Sequence, residues 1–200
     1  DVAAVLRAFF EGRGGVPPLL LVGHSLGGAI AVWVAAERKE LPVQGLAVID
    51  VVEGSALDSL KHMNAFLDSR PSSFPSVDRA VAWATSGGGM RNGDSAGVSM
   101  PAQLKAAPGL SGDTRWHWRT DLRASEPYWR GWFEGMSEAF LAQTGMPKLL
   151  LLAGSDRLDK PLTIAHMQGQ FQLGLVYGTG HYMMEDKPQE TAQRLVEFHQ

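Results

Sequence analysis

The apolar residues of this chain recur with two spacings, which predict strands and helices in alternation. Short, almost continuously apolar runs predict strands buried on both faces, at residues 17–22, 45–49, 148–153 and 173–177. Segments with apolar residues every three or four positions, or rich in alanine, predict helices, at residues 1–11, 29–38, 56–67, 77–84, 163–171 and 188–198. This alternation predicts an α/β fold with a mostly parallel sheet flanked by helices.

The pattern changes between residues 86 and 145. This stretch begins with three successive glycines, Gly87, Gly88 and Gly89, continues with Pro101 and Pro108, and contains four tryptophans, Trp116, Trp118, Trp129 and Trp132. Such a composition predicts an irregular, partly helical insertion. We therefore expect a single domain over residues 1–200, with residues 86–145 forming a lid within it.

Composition narrows the possible functions. The 200 residues are 44% hydrophobic and 20% charged, which is enough to bury the core of one domain. Lys and Arg number 18 against 21 Asp and Glu, which argues against a generic nucleic-acid-binding surface. No apolar run approaches the roughly 18 residues that a membrane span requires. With no cysteine in the chain, disulfides, thiolate metal sites and cysteine nucleophiles are excluded.

The strongest local signal is the sequence GHSLGG at residues 23–28, directly after the apolar run LLLV. A G-x-S-x-G pattern between a strand and a small-residue helix is typical of a nucleophile elbow, with Ser25 as the nucleophile. Gly23 and Gly27 would remove side chains that clash across the turn. The amide of Leu26 is then a candidate oxyanion donor, and His24 a residue that supports the elbow. The glycine spacing fits neither G-x-G-x-x-G nor a P-loop.

A serine nucleophile needs a base, and His181 is the best candidate. It lies in VYGTGHYMMED, in a glycine-containing loop after the last predicted strand. In hydrolases with a nucleophile elbow, the catalytic histidine follows the acid late in the chain. The other histidines fall in helical or insertion contexts, where packing or solvation accounts for them.

Two aspartates follow predicted strands and could complete a triad. Asp156 lies in LLLLAGSDRLDK and Asp50 in LAVIDVVEG, and both preserve the chain order serine, acid, histidine. Spacing alone favours Asp156 over Asp50, because the acid usually follows the penultimate strand. From the residues alone, both alternatives stay open.

Four longer segments resemble the eukaryotic protein phosphatase methylesterase family. They are GHSLGGAIAV, VIDVVEGSALD, the tract WRTDL with YWRGWFEGMSEAFL, and PKLLLLAGSDRLDKPLTIAHMQGQFQ. The resemblance covers about residues 17–181 and implies an α/β-hydrolase fold. Transferred onto this sequence, the family's triad falls on Ser25, Asp50 and His181, which reverses the preference for Asp156.

The resemblance also implies a substrate, the methyl-esterified C-terminal leucine of the protein phosphatase 2A catalytic subunit. That subunit would be the partner, in the cytoplasm, the nucleus or both, and no metal or cofactor would be required. In the lid, Trp129, Trp132 and Met136 are candidates for binding the apolar C-terminal residue, the alternative being that they pack the lid onto the body. The first strands of the fold and the second oxyanion donor are expected upstream of residue 1.

Two other functions are compatible with the sequence. A general small-molecule esterase or lipase would share the triad and differ only in its pocket. A catalytically silent phosphatase-binding protein would use the fold for docking alone, although an intact Ser25, Asp50 and His181 argue against it.

Overall fold

The computed structural model describes residues 1–109 and 112–199. A four-stranded parallel sheet lies at its centre, in the order β1-β2-β6-β7. Its strands are β1 (Leu19–His24), β2 (Val43–Ile49), β6 (Lys148–Leu152) and β7 (Gln172–Leu175). The predicted α/β fold with a parallel sheet is thereby confirmed, and each strand lies within a few residues of its predicted position.

Helices cover both faces of this sheet. They are α2 (Leu26–Glu37), α3 (Glu53–Ser69), α6 (Trp129–Phe133), α7 (Met136–Leu141), α8 (Lys160–Met167), α9 (Met183–Asp186) and α10 (Pro188–His199). A further helix, α1 (Val2–Phe10), precedes β1, and among the described residues it joins none of the core clusters. Alternate residues of each strand point to opposite faces. Leu46 and Val48 of β2 therefore join a core with α2, α7 and α8, whereas Ala47 and Ile49 pack towards α9 and α10.

A second, smaller packing unit, which we call the cap, spans residues 73–118. It contains α4 (Val77–Ser86), α5 (Gly93–Ala102) and an antiparallel sheet of β3 (Ser73–Phe74), β5 (Thr114–Trp118) and β4 (Leu104–Pro108). The cap has its own core, which includes Phe74, Met100 and Leu104. The sequence analysis expected irregular structure here, and the sheet was missed because β3 pairs with a strand about 40 residues later.

The predicted lid at residues 86–145 does not coincide with the cap. The cap's packing begins earlier, at β3 and α4, which join its core. The later part of the predicted lid, α6 and α7, packs instead into the main core against α2. The stretch between residues 86 and 145 therefore contributes to both cores.

Candidate active site

A sharp turn between β1 and α2 presents Ser25. It is the only residue between the strand, which ends at His24, and the helix, which begins at Leu26. Its backbone is in an unusual conformation for a residue with a side chain, with φ 51° and ψ −124°. Positive φ in a non-glycine residue is strained and is found at functional sites. The serine hydroxyl therefore lies at the N-terminus of α2, where the helix dipole favours developing negative charge.

Two glycines make this turn possible. A Cβ at Gly23 would lie 2.1 Å from the Gly27 carbonyl oxygen, closer than any real contact. A Cβ at Gly28 would lie 2.8 Å from a methyl group of Val51, so this glycine lets α2 pack close to the sheet. The expectation for Gly27 was wrong, because a Cβ there would meet nothing within 4 Å.

The structure brings Ser25, His181 and Asp50 together in one chain of hydrogen bonds. His181 Nε2 lies 2.9 Å from Ser25 Oγ, and His181 Nδ1 lies 2.8 Å from Asp50 Oδ2. The Asp50 carboxylate accepts a hydrogen bond from the Nδ1–H group, and this tautomer leaves Nε2 free to accept the serine proton. This is the geometry that a nucleophilic serine requires.

Asp50 is held directly after β2, in a backbone conformation with φ 51°. Its carboxylate has no exposed surface and accepts hydrogen bonds from His181 and from Arg157 Nη1, the latter at 2.5 and 2.6 Å. Burial on its own raises the pKa of Asp50, but the His181 hydrogen bond and the Arg157 charge outweigh it and lower the pKa. Asp50 is therefore ionised at neutral pH, as a group that stabilises an imidazolium must be.

The competing candidate, Asp156, lies outside this hydrogen-bond chain. It is exposed, in a single 3₁₀ turn at Ser155–Arg157 that follows β6. It is the next residue, Arg157, that reaches Asp50. Of the two aspartates, the structure therefore places Asp50 and not Asp156 at hydrogen-bond distance from His181.

The sequence analysis missed Arg157 as a residue of the site. It lies 107 positions from Asp50, and a lone arginine after a strand carries no local signal of its partner. The only indication in the sequence is its place at the carboxyl end of a strand. Carboxyl ends of neighbouring parallel strands meet at one edge of a sheet, which is where Asp50 also lies.

The loop that carries His181 is held by His24. His24 Nε2 lies 2.6 Å from the His181 carbonyl oxygen, and the two rings lie 4.6 Å apart. Burial, and then the proximity of His181, lower the pKa of His24. A neutral His24 donates from Nε2 to the carbonyl oxygen, so it positions the histidine loop in addition to lying beside the elbow.

Asp186 and Arg91 hold the same loop from its other side. The Gly180 amide donates to Asp186 Oδ2 at 2.7 Å, and the Arg91 amide donates to Asp186 Oδ1 at 2.8 Å. The Arg91 guanidinium also donates to the Gly178 carbonyl at 2.9 Å. Arg91 lies between α4 and α5, so the cap is tied directly to the loop that bears the histidine.

The amide of Leu26 is well placed for its predicted role. It is the first amide of α2, where a helix leaves its N–H groups without an intrahelical acceptor. Within residues 1–109 and 112–199, no acceptor engages it. The assignment of Leu26 as an oxyanion donor stays a prediction.

The three predicted substrate-binding residues are buried or partly buried. Trp129 and Met136 are only 6% and 3% exposed; Met136 belongs to the main core, and Trp132 packs against that core. The Trp132 carbonyl accepts a hydrogen bond from the indole of Trp33, about 12 Å along α2 from Ser25 at 1.5 Å per residue. This placement favours the alternative in which they pack onto the body, and their role in substrate binding stays a prediction.

No three His, Asp or Glu side chains cluster as a metal site would require within residues 1–109 and 112–199. None of the helices in that part of the chain combines the length and apolar character needed to cross a bilayer.

These features define a class, and comparison with known proteins places the chain in it. The sequence model of the alpha/beta hydrolase family matches residues 1–194, so the chain belongs to that family. A solved E-2-(acetamidomethylene)succinate hydrolase superposes with a TM-score of 0.72, at 21% identity over 99% of this chain and 70% of that one. An esterase from Mycobacterium tuberculosis superposes with a TM-score of 0.65, at 21% identity over 98% and 68%. These likenesses support the fold.

Curated relatives are more specific, and they confirm the resemblance to protein phosphatase methylesterases. The chain is 45% identical over 199 residues to the probable protein phosphatase methylesterase 1 of Caenorhabditis elegans, covering 99% of this chain and 53% of that protein. It is 49% identical to protein phosphatase methylesterase 1 of Aspergillus fumigatus (92% and 44% covered) and 39% identical to that of Rattus norvegicus (99% and 60%). The chain thus spans about half the length of the curated relatives it matches.

Proposed function

We propose that this chain carries the catalytic triad of a protein phosphatase methylesterase, a serine carboxylesterase. The observation that carries the proposal is the hydrogen-bond chain from Ser25 through His181 to Asp50. The names of its relatives support a methyl ester of a protein phosphatase as the substrate. The family resemblance implies, more finely, the methyl-esterified C-terminal leucine of the protein phosphatase 2A catalytic subunit. The enzyme would then act in the cytoplasm, the nucleus or both.

The first half of the reaction forms an acyl-enzyme. His181 Nε2 takes the proton from Ser25 Oγ as that oxygen attacks the carbonyl carbon of the ester. The carbonyl oxygen becomes an oxyanion, which the Leu26 amide stabilises. Asp50 holds the imidazole in the required tautomer and stabilises the imidazolium. The intermediate then collapses, His181 protonates the departing methoxide, and methanol leaves.

The second half restores the enzyme. A water molecule gives its proton to His181 and attacks the acyl carbon, and the bond to Ser25 Oγ breaks. His181 returns the proton to the serine oxygen, and the product leaves as a carboxylic acid, which loses its remaining proton to solvent. These steps use only side chains, backbone amides and water.

The test is demethylation of the proposed substrate by the full-length protein. Carboxymethylated phosphatase catalytic subunit is incubated with enzyme, and its C-terminal peptide is followed by mass spectrometry. We expect loss of the methyl group with the wild type and not with Ser25→Ala. Ser155→Ala is the matched control, because it removes a serine that follows another strand of the sheet and lies outside the triad.

Other outcomes would identify a different function. Cleavage of small esters without demethylation of the phosphatase would indicate a general esterase. Binding of the phosphatase without turnover of any ester, and without labelling of Ser25 by a fluorophosphonate, would indicate a docking protein.

A further inference from the structure

A cavity of about 120 Å³ lies next to the triad, between the cap and the body. Most of its wall is apolar, formed by Phe66, Trp83, Met90, Met100, Trp118 and Leu122. Three polar side chains also line it, those of Arg70, Gln103 and Tyr182. An apolar cavity with a few convergent polar groups is the usual form of a small ligand site.

Tyr182 lines this cavity and also lies beside the triad residue His181. It follows His181 in the chain, and its ring lies 5.8 Å from the His181 ring and 6.2 Å from the His24 ring. Burial raises the pKa of Tyr182, so its phenol is neutral at physiological pH. Only the Tyr182 side chain therefore lies between His181 and the cavity. A substrate whose ester lies at Ser25 would have the cavity on the far side of this residue.

Arg70 gives the cavity a positive charge. Its guanidinium carbon lies 3.8 Å from the centre of the Trp118 ring, and burial lowers its pKa. Across the described residues, no carboxylate lies within ion-pair distance of it and no acceptor bonds its guanidinium. Arg157 and Arg123, by contrast, each pair with an aspartate. A partly buried cation without a counter-charge is costly, and an anionic ligand would offset that cost.

The groove next to the cavity does not supply this counter-charge. Arg70 also borders a wider groove that contains Asp68 and Asp121. Asp68 pairs with Arg123, and Asp121 accepts a hydrogen bond from the Arg123 amide. Both carboxylates are thus engaged with Arg123, and Arg70 keeps its donors for a ligand.

We propose that this cavity is a substrate subsite that binds an acidic side chain of the peptide whose C-terminal ester reacts at Ser25. A guanidinium stacked on an indole presents its N–H donors at its edge, in the fork that matches a carboxylate. One guanidinium balances one carboxylate charge, and the apolar walls suit the methylene stem of a glutamate. Arg70 is then a specificity-determining residue. This inference rests on the proposed function.

The test uses peptide methyl esters that end in leucine and differ only in one Glu or Gln. The pair is placed in turn at each of the four positions before the ester, and kcat/KM is measured with the full-length protein. At one position, we expect wild type to prefer Glu by about tenfold, as a charge-assisted hydrogen bond would give. Arg70→Gln should abolish that preference by lowering kcat/KM for the Glu peptide. The preference in wild type should also weaken at high salt.

Arg130→Gln is the matched control, since it removes an exposed arginine that is paired with Glu134 and does not line the cavity. It should retain the Glu preference and hydrolyse a small phenyl ester at the wild-type rate. A preference that persists in Arg70→Gln, or no preference at any position, overturns the subsite.

A binding measurement separates this inference from the proposed function. The same peptides are titrated onto Ser25→Ala and followed by calorimetry, which requires no turnover. Tighter binding of the Glu peptide, lost when Arg70→Gln is added, would support the subsite whether or not wild type cleaves peptide esters. Failure of wild type to cleave any peptide ester would refute the esterase. Turnover without any Glu preference would retain the esterase and refute the subsite.

Discussion

The triad is assembled from two regions that are built differently. Ser25 and Asp50 lie at the ends of adjacent parallel strands, each with φ 51°. The Ser25 amide donates to the Ile49 carbonyl at 2.9 Å, and the Asp50 amide donates to the Leu151 carbonyl at 2.8 Å. Both residues therefore continue the hydrogen bonding of the sheet by one step. The proposed nucleophile and the proposed acid are thus positioned by the backbone itself.

His181 belongs to the other kind of region. It lies in the loop between β7 and α9, and 45% of its side-chain surface is exposed, against none for Asp50. Its loop is held by side chains of other elements, including His24 of β1 and Asp186 of α9. Sites on regular elements are held more rigidly than sites on loops. Substitutions should therefore disrupt the strand-end region through strain and the loop region through loss of positioning.

Exchange of the triad acid should have the largest effect. Asp50→Asn keeps the shape of the side chain but removes the charge and favours the wrong histidine tautomer, so kcat should fall by about 10⁴-fold. Asp156→Asn should stay within about twofold of wild type, because surface substitutions away from a site do little. Turnover of a small ester by the full-length protein measures both. A severe loss of turnover in Asp156→Asn, together with nearly normal turnover in Asp50→Asn, would identify Asp156 as the triad acid.

Substitution of an elbow glycine should have the next largest effect, on the free energy of unfolding. Gly23 and Gly27 form a matched pair for this test. Gly23→Ala places a Cβ 2.1 Å from a backbone oxygen, whereas Gly27→Ala meets nothing within 4 Å. We expect Gly23→Ala to lower the free energy of unfolding by about 3 kcal/mol. Gly27→Ala should change it by less than about 1 kcal/mol. Urea unfolding of the full-length variants measures both, and equal losses would show that the backbone contact at Gly23 does not limit the turn.

The difference between the two regions also explains what the sequence could predict. Buried strands, the elbow at Ser25 and the candidacy of His181 follow from local patterns, because each depends on a run of adjacent residues. The choice between Asp50 and Asp156 does not, since both follow strands that end at the same edge of the sheet. It depends on which strand lies beside β1, and that order is a long-range property.

Contacts between distant residues were missed for the same reason. Arg157 gives no local sign that it pairs with Asp50, and β3 finds its partner β5 only when the cap folds. Trp132 and Met136 were expected beside the substrate because large apolar residues in an irregular segment suit either a pocket or a core. Only packing against α2 distinguishes the two, and it places them in the main core.

Removal of Arg157 should have a moderate effect that depends on pH. The lowered pKa of Asp50 means that its ionised form stabilises the fold above its ordinary pKa, and that this contribution is lost as pH falls through the lowered value. Arg157 is partly solvent-exposed, so Arg157→Gln should cost only about 1–2 kcal/mol at pH 7. The deficit should shrink at acidic pH, where Asp50 becomes protonated.

Urea unfolding of wild type and Arg157→Gln, at pH 7 and at successively lower pH, measures this difference. Arg194→Gln is the control, since its pair with Glu197 is exposed on both sides and should contribute little. A deficit that is the same at every pH would mean that Arg157 stabilises the fold by packing and not through the charge of Asp50.

The smallest effect is expected at His24, in the loop region. His24→Ala removes the hydrogen bond to the His181 carbonyl, and the loss of about 1 kcal/mol corresponds to roughly fivefold in kcat. KM should change little, because the loop holds the base and not the substrate. His24→Gln keeps an N–H donor and should restore most of the activity. Equal losses in both variants would indicate that the imidazole ring packs against His181 and that its hydrogen bond is unimportant.

The pH dependence of stability tests the same contact independently of turnover. Burial, followed by the charge of His181, lowers the pKa of His24, so the unfolded chain binds a proton at a higher pH than the folded protein does. The stabilisation from neutral His24 is therefore complete above its ordinary pKa near 6.5 and is lost as pH falls through the lowered value. His24→Gln cannot bind that proton, so its free energy of unfolding should decline less steeply between pH 7 and 5. Parallel declines in the two proteins would show that His24 is not held neutral against the histidine loop, and that the loop owes its position to Asp186 and Arg91 alone.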